Sequence, residues 1–415
     1  MNKKHILVVS QYFYPEPFRI NDICAEWIKR GYKVTVVTGI PNYPEGKFYR
    51  GYGWFKKRKE MWNGIEIIRL PLVSRGKSSI RLVLNYASFL FSGLFWKIFT
   101  RLKADLVFTF GVSPMTQALL GVWYAKRRKV PHYLYVQDLW PENVEVVAGI
   151  HNKTVLCWIG KIVDYIYRNT DMILATSPSF VRMIQERLSE NQEKVKYWPQ
   201  YAEEFYRPVP RKKCDEIPDD NVFKIIFTGN IGRAQGLEIL PRAAKILKEE
   251  GEKICFVIVG DGRNREELEK AVEENNVKDM FLLLGRKPAE DIPYLLAACD
   301  AAFISFMDDP LFAATIPAKL QSYMACGMPI IASASGETKR IIEEAQCGIC
   351  CPLGGVEALA KGITKIMNES NLLVFKYNAE QYCIRNFERN NLFDIMDNFL
   401  TDDLSCFHKK LYYST

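Results

Sequence analysis

Histidine is scarce in this chain, with four in 415 residues, and the scarcity excludes several chemistries. The one cysteine cluster, Cys347-Gly-Ile-Cys350-Cys351, has no histidine near it and no second ligand pair to complete a tetrahedral zinc site. No metal or other cofactor is expected. The eleven cysteines are an odd number scattered through apolar stretches, which reads as reduced core thiols rather than a disulfide framework. Long apolar runs are missing too. His5–Ser10 is too short for a secretory signal and has no small-residue cleavage site behind it, so none is expected. Leu82–Trp96 carries no charge but falls short of the ~20 residues needed to span a bilayer, leaving a buried or an interfacial helix as the two readings. There is no internal repeat, no low-complexity tract and no nucleic-acid reader motif, so nucleic acid is not an expected partner.

What is present is the composition of a globular enzyme, 48% hydrophobic and 25% charged. The length predicts two domains. Charge divides unevenly: residues 1–210 hold 31 Lys and Arg against 17 Asp and Glu, whereas the remainder holds 25 against 31. A basic first half attracts an anionic partner, whether phospholipid, polyprenyl phosphate or nucleic acid, and the sign alone does not choose among them. Within it, Tyr49–Trp62 interleaves aromatics with cations, in the manner of an interfacial anchor or of a solvated basic loop.

Periodicity alternates between strand and helix. Strands are predicted at His5–Ser10, Val34–Thr38, Ile65–Leu70, Asp105–Phe110, Pro131–Val136 and Met172–Thr176, with an amphipathic helix at Ile20–Arg30 closed by Gly31. Tyr197–Asp220, with four prolines among charges, reads as a linker. The alternation restarts at Phe223–Thr228 and runs through Ile254–Val259, Phe281–Leu284, Ala301–Ser305 and Pro329–Ala334. The expectation is an α/β chain of two doubly wound Rossmann-like domains, with a ligand cleft facing the carboxyl ends of both sheets.

Chemistry gathers after the strands of the second half. Gly229-Asn230-Ile-Gly232-Arg233-Ala-Gln-Gly236 follows the first of them, Val259-Gly260-Asp261-Gly262 the next, and Gly285-Arg286-Lys287-Pro288 the third. Glycines at strand-to-helix turns either serve packing or let backbone amides approach an anion. Three in succession favour the anion. The block Thr315-Ile-Pro317-Ala-Lys319 opens a helix: Pro317 suits the first turn, and free amides beside Lys319 make a diphosphate seat.

These three turns and Pro317–Pro329 resemble the second half of retaining glycosyltransferases of family four, which have the GT-B fold. Gln11–Glu16, Pro41–Lys47 and Gln137-Asp138-Leu-Trp-Pro-Glu142 are similar to its O-antigen and capsule branch, which includes transferases of N-acetyl-L-fucosamine. The resemblance implies domains at 1–203 (acceptor side) and 204–375 (nucleotide-sugar side), with a helix at 376–403 returning to the first. It implies transfer from a UDP-sugar to a polyprenyl-diphosphate-linked saccharide, peripherally at the cytoplasmic face of the membrane. The family's pair of glutamates falls at Ala314 and Ser322, its usual Lys-Gly is Gln235-Gly236, and its usual double glycine is Gly336-Glu337. Donor contacts are therefore expected from Arg233, Lys319, Thr315 and the helix amides, with Glu337 near ribose or sugar. On the acceptor side, Arg19 and Gln137 lie in loops after strands, and Asp138 and Glu142 are the carboxylates placed to orient or deprotonate a hydroxyl; Asp138 could equally cap a helix. Two other functions stand beside this one: a UDP-sugar 2-epimerase of the same fold, disfavoured because no histidine precedes His408 in the second half, and a non-catalytic nucleotide-sugar-binding scaffold.

Overall fold

The computed structural model describes residues 4–413 except 77, 148, 212, 213, 215, 219 and 370, and beyond Thr401 the backbone alone. It divides into two compact units. The first comprises Met1–Thr176, Phe180–Trp198 and Asn398–Thr415; the second comprises Ser177–Ser179 and Pro199–Asp397.

The first unit holds strands β1 (His5–Val9), β2 (Lys33–Gly39), β3 (Lys59–Trp62), β4 (Ile65–Leu70), β5 (Leu106–Gly111), β6 (His132–Val136), β7 (Met172–Ala175) and β8 (Val195–Tyr197). Its helices are α1 (Arg19–Lys29), α2 (Ser79–Phe99), α3 (Ala118–Arg128), α4 (Glu142–Val146), α5 (Lys153–Arg168) and α6 (Pro178–Arg187). The sheet order is β3-β4-β2-β1-β5-β6-β7-β8, and every neighbouring pair is parallel except β3 with β4. β1 thus has β2 on one side and β5 on the other, which makes the end of β1 a topological switch point, where open α/β sheets take ligands.

Local chemistry explains the pieces. α1 buries Ile20, Ile23, Cys24 and Trp27, the i, i+3, i+4, i+7 stripe of a core-facing helix, and Gly31 follows at φ +90°. α3 ends in Lys126, Arg127 and Arg128, cations that suit the negative end of a helix dipole. β6 carries His132, which is fully buried between the hydroxyls of Thr109 and Thr170; burial lowers its pKa to about 3, so it stays neutral.

The second unit holds β9 (Phe223–Thr228), β10 (Ile254–Val259), β11 (Phe281–Gly285), β12 (Ala301–Ser305), β13 (Ile330–Ser333) and β14 (Gly348–Cys351). Its helices are α7 (Ile239–Glu249), α8 (Arg265–Glu274), α9 (Ile292–Ala297), α10 (Pro310–Ala313), α11 (Ala318–Ala325), α12 (Gly336–Ala345), α13 (Val356–Met367) and α14 (Leu372–Phe387), followed by α15 (Arg389–Tyr413). All strands are parallel in the order β11-β10-β9-β12-β13-β14, and the switch point lies between β9 and β12.

Several expectations change. The stretch expected as a linker contributes Ile217 to the core of the second unit, so its described residues belong to that unit from Pro199 onwards. The expected terminal helix is two helices, broken at extended Glu388 (ψ 128°). The first packs on α11, and the chain rejoins the first unit only from Asn398, where Lys4 Nζ donates to Leu400 O and Tyr133 OH to Phe399 O. Half of Tyr49–Trp62 is structural: β3 is an antiparallel edge strand, Trp62 stacks on Tyr14 at 4.6 Å, and Trp54 Nε1 donates to Leu72 O. The cysteine cluster is largely strand β14, with free thiols.

Tyr323 of α11 fastens this unit's centre. Its hydroxyl accepts from Thr228 N at 2.8 Å within the core. Tyr323→Phe should leave that buried amide unpaired and cost about 1–3 kcal/mol, measured as a lowered urea midpoint with an unchanged fold by circular dichroism.

Candidate active site

In the second unit, three loops leave the sheet at one edge. Gly229 N donates to Val259 O and Gly260 N to Gly285 O, so each turn hangs from the next strand. Gly229 and Gly260 take φ of +134° and +143°, a region open to glycine alone. A β-carbon on Gly260 would lie 1.8 Å from Gly229 O, and one on Gly262 would lie 2.1 Å from Ile231 O. The first two turns therefore touch backbone to backbone. Across the switch point, Ser305 Oγ and Met307 N donate to the carbonyls of Gln235 and Ala234, pinning the Gly229–Gly236 loop to the end of β12.

Lys319 projects from the first turn of α11 into this corner. Its Nζ donates to Gln235 Oε1 at 2.7 Å and stands 3.8 Å from the centre of the Phe227 ring. Gly229 lies beside it: a β-carbon there would be in ordinary contact, 3.6 Å from the ammonium. Gln235 and Phe227 went unnoticed as a pair in the sequence, because nothing in their spacing says that they meet one lysine. Burial lowers the Lys319 pKa to about 7. Helix α11 begins at Ala318, and extended Pro317 is its N-cap rather than its first helical residue; Leu320 N already donates to Pro317 O, which leaves the Ala318 and Lys319 amides without intrahelical acceptors.

The other donor-side residues divide. Arg233 and Asn230 are exposed on the first loop. Gly232 leads into its 3-10 turn. Arg286 lies 3.7 Å from Asp261, and Lys287 pairs with Glu216, so both cations are engaged outside the Lys319 corner. Thr315 spends its hydroxyl on Leu311 O. Ala314 and Ser322 are buried, and the Ser322 hydroxyl donates back to Ala318 O. Glu337, 3% exposed, accepts from Ser179 N and Oγ on one oxygen and from Arg340 on the other. That carboxylate fastens α12 to the Ser177–Ser179 segment of the same unit.

In the first unit, the loops after β1, β5 and β6 meet. Gln11 N donates to Gln117 Oε1 at 2.6 Å, and Gln137 N donates to Gly111 O. Asp138 Oδ2 accepts from both Ser113 N and Ser113 Oγ at 2.7 Å, and Trp140 Nε1 donates to the same hydroxyl. Asp138 thus caps the loop after β5, not the α4 helix. Burial raises its pKa and the two Ser113 hydrogen bonds oppose the rise. Glu142 opens α4, half-exposed, with Arg187 at 3.9 Å. Arg19 is the first residue of α1. Glu16, which the sequence reading left without a role, is fully buried and accepts from Asn42 N, Tyr43 N and Phe13 N. Burial lifts its pKa to about 7 against those bonds. It ties the Gln11–Glu16 segment to the Pro41–Lys47 segment.

The corner at Lys319 therefore offers a held-back cation, an oriented amide and unspent backbone N–H groups at a sheet switch point, which is the equipment for a diphosphate. A bound diphosphate is best met by protonated Lys319, so the pKa of Lys319 rises if an anion of that kind binds here. From pH 7 upwards binding then takes up a proton, and affinity falls with rising pH by up to about tenfold per unit, whereas below pH 7 this group contributes no slope. Isothermal titration of a nucleoside-diphosphate ester across about pH 6 to 9 checks the sign. Lys319→Ala should remove the slope and weaken binding by roughly tenfold to a hundredfold.

Comparison with known proteins agrees with the geometry. Residues 211–384 match the family model "Glycosyl transferases group 1", and residues 18–199 match "Glycosyl transferase 4-like domain". The chain is 30% identical over 308 residues to the probable glycosyltransferase WbjE of Pseudomonas aeruginosa, covering 71% of this chain and 72% of that one. It is 27% identical to the putative colanic acid biosynthesis glycosyl transferase WcaI of Escherichia coli K12, covering 96% and 99%. The structure of Anabaena Alr3699/HepE in complex with UDP and glucose superposes with a TM-score of 0.69 at 16% identity, covering 96% and 99%. That likeness establishes the fold, GT-B.

Proposed function

The chain belongs to the group 1 glycosyltransferases, and on that premise we propose that it moves a sugar from a UDP-sugar to a saccharide carried on polyprenyl diphosphate, with retention of anomeric configuration, in the synthesis of a surface polysaccharide. The observation that carries the donor is Lys319 Nζ, held by Gln235 over the Phe227 ring beside the glycine turns of β9 and β10. The UDP bound by the structural neighbour HepE supports a uridine nucleotide, and the WcaI relationship supports a polysaccharide product. Gln137–Glu142 favours the O-antigen and capsule branch and N-acetyl-L-fucosamine as the sugar.

In this reading the C1–O bond to the diphosphate breaks as the acceptor oxygen bonds to C1 on the same face. The acceptor hydroxyl proton passes to the departing phosphate oxygen. Lys319 and the first amides of α11 stabilise the charge that develops on the diphosphate. No metal is needed for that task. Positioning replaces a protein nucleophile. Ala314 and Ser322 offer the sugar and ribose no carboxylate, so the donor is held chiefly through its diphosphate. Asp138, kept in place by Ser113, orients the acceptor hydroxyl, with Glu142 beside it in sequence. The reaction takes place at the cytoplasmic face of the membrane.

The test is a panel of UDP- and GDP-sugars, first for thermal stabilisation and then for turnover with an extracted polyprenyl-diphosphate saccharide. UDP should raise the melting temperature by mass action. Product anomers read by nuclear magnetic resonance should keep the donor's configuration, and Lys319→Ala should abolish turnover. Sugar converted without acceptor would identify a 2-epimerase instead. Stabilisation by a nucleotide without any turnover would identify a nucleotide-sugar-binding scaffold, and well-folded protein that no nucleotide stabilises would count against the donor site.

A further inference from the structure

Helix α2 has two apolar sides, and the fold uses one. Its inner side carries Asn85, Phe89 and Gly93 at spacings of four, all buried. Gly93 lies so close to α3 that a β-carbon would meet Leu120 at 2.8 Å. Asn85 is wired into the domain: its amide donates to Val73 O at 2.6 Å and its oxygen accepts from Gln11 Nε2 at 2.7 Å. Ser92 Oγ adds a bond to Pro71 O. The outer side repeats at helical spacing through Ile80, Leu84, Phe91, Phe95 and Ile98, and all of these are exposed, Phe91 by 64% and Phe95 by 63%. Phe99 at the end of the helix is 77% exposed. Ordinary surface helices turn polar residues outward. Exposed apolar stripes of this length mark an interaction surface.

The surroundings give the partner's charge. From Ile67 to Gln137 the sequence has eleven Lys and Arg and a single acid, Asp105, whose carboxylate is spent on His5 N. The cations flank the stripe. Arg81 stands in its first turn and Lys97 in its last, exposed Arg101 and Lys103 follow it, and Arg127 of α3 donates to the carbonyls of Lys97 and Ile98. On the far side of α3, which touches both helices, α5 repeats the pattern with Trp158, 63% exposed under the ammonium of Lys161.

We propose that the outer stripe of α2, with its flanking cations, is the surface by which this protein docks on a bilayer rich in anionic phospholipid. The helix is long and apolar enough to cross a membrane. Crossing would, however, tear out the Asn85 and Ser92 hydrogen bonds, whose groups have no substitute partners in hydrocarbon. The helix therefore lies in the interface, phenylalanines down and cations at headgroup level. Such a surface has a purpose if the acceptor is lipid-borne, as proposed above, but its existence can be tested without any transfer.

The full chain is floated with vesicles of phosphatidylcholine alone and with added phosphatidylglycerol. The expected result is binding to the anionic vesicles that weakens with salt. Phe91→Ser/Phe95→Ser should lower that binding by about tenfold or more, and Arg101→Glu/Lys103→Glu should remove its dependence on phosphatidylglycerol. Both variants should keep the UDP-induced rise in melting temperature, which shows that they fold. If wild-type protein ignores anionic vesicles, the proposal is wrong. It is equally wrong if the wild type is a dimer that Phe91→Ser/Phe95→Ser converts to monomers without altering vesicle binding, because a second copy then covers the stripe. Vesicle binding without any response to UDP would uphold this surface and count against the transferase reading alone.

Discussion

Two backbones in the second unit approach so closely that no side chain fits between them, and the donor corner depends on that approach. Gly260 faces the carbonyl of Gly229 at a distance that a β-carbon would reduce to 1.8 Å. Both residues sit at φ values that side chains resist. The consequence is geometric. Loops that leave β9 and β10 stay flat against each other. The Lys319 ammonium rests beside Gly229 and over Phe227.

Electrostatics then follow from burial. A lysine in this position loses solvation without gaining a carboxylate; its neighbour is the neutral oxygen of Gln235. Its affinity for a proton therefore drops, and an anion placed beside it would raise that affinity again. The engaged cations nearby behave differently. Arg286, Lys287 and Arg340 each face a carboxylate, whereas Lys319 faces none among the described residues.

The first unit is organised around polar groups placed where an ordinary sheet edge has apolar ones. Glu16, Gln11, Asn42, Asn85 and Gln117 are buried together behind the loops that follow β1 and β2. Their hydrogen bonds hold those loops in one arrangement. They also hold α2, and that attachment decides that the helix offers a stripe to its surroundings rather than leaving the domain.

Periodicity and glycine placement were enough to read the α/β class, two doubly wound sheets and the three turns at the donor edge, because strand alternation and strand-to-helix turns are local properties. β3, β8 and β14 were not legible: they are short edge strands, and their residues, charged in β3 and cysteine-rich in β14, follow their neighbours rather than an apolar pattern. Lys319 could be chosen from its place after Pro317, but not its contact with Gln235, 84 residues away. Glu337 looked like a free acceptor until the fold brought Ser179 and Arg340 to it. Glu16 looked like one residue of a loop until burial gave it three backbone donors. Leu82–Trp96 showed that a long apolar helix exists; which side faces the core was decided by Asn85 and Gly93, whose partners come from the loops after β1, β2 and β4 and from α3. Sequence by itself determines what a segment can form, since that depends on neighbours along the chain. What each charged or apolar group is left free to do was decided by tertiary structure, because burial and hydrogen-bond partners come from residues far away in sequence.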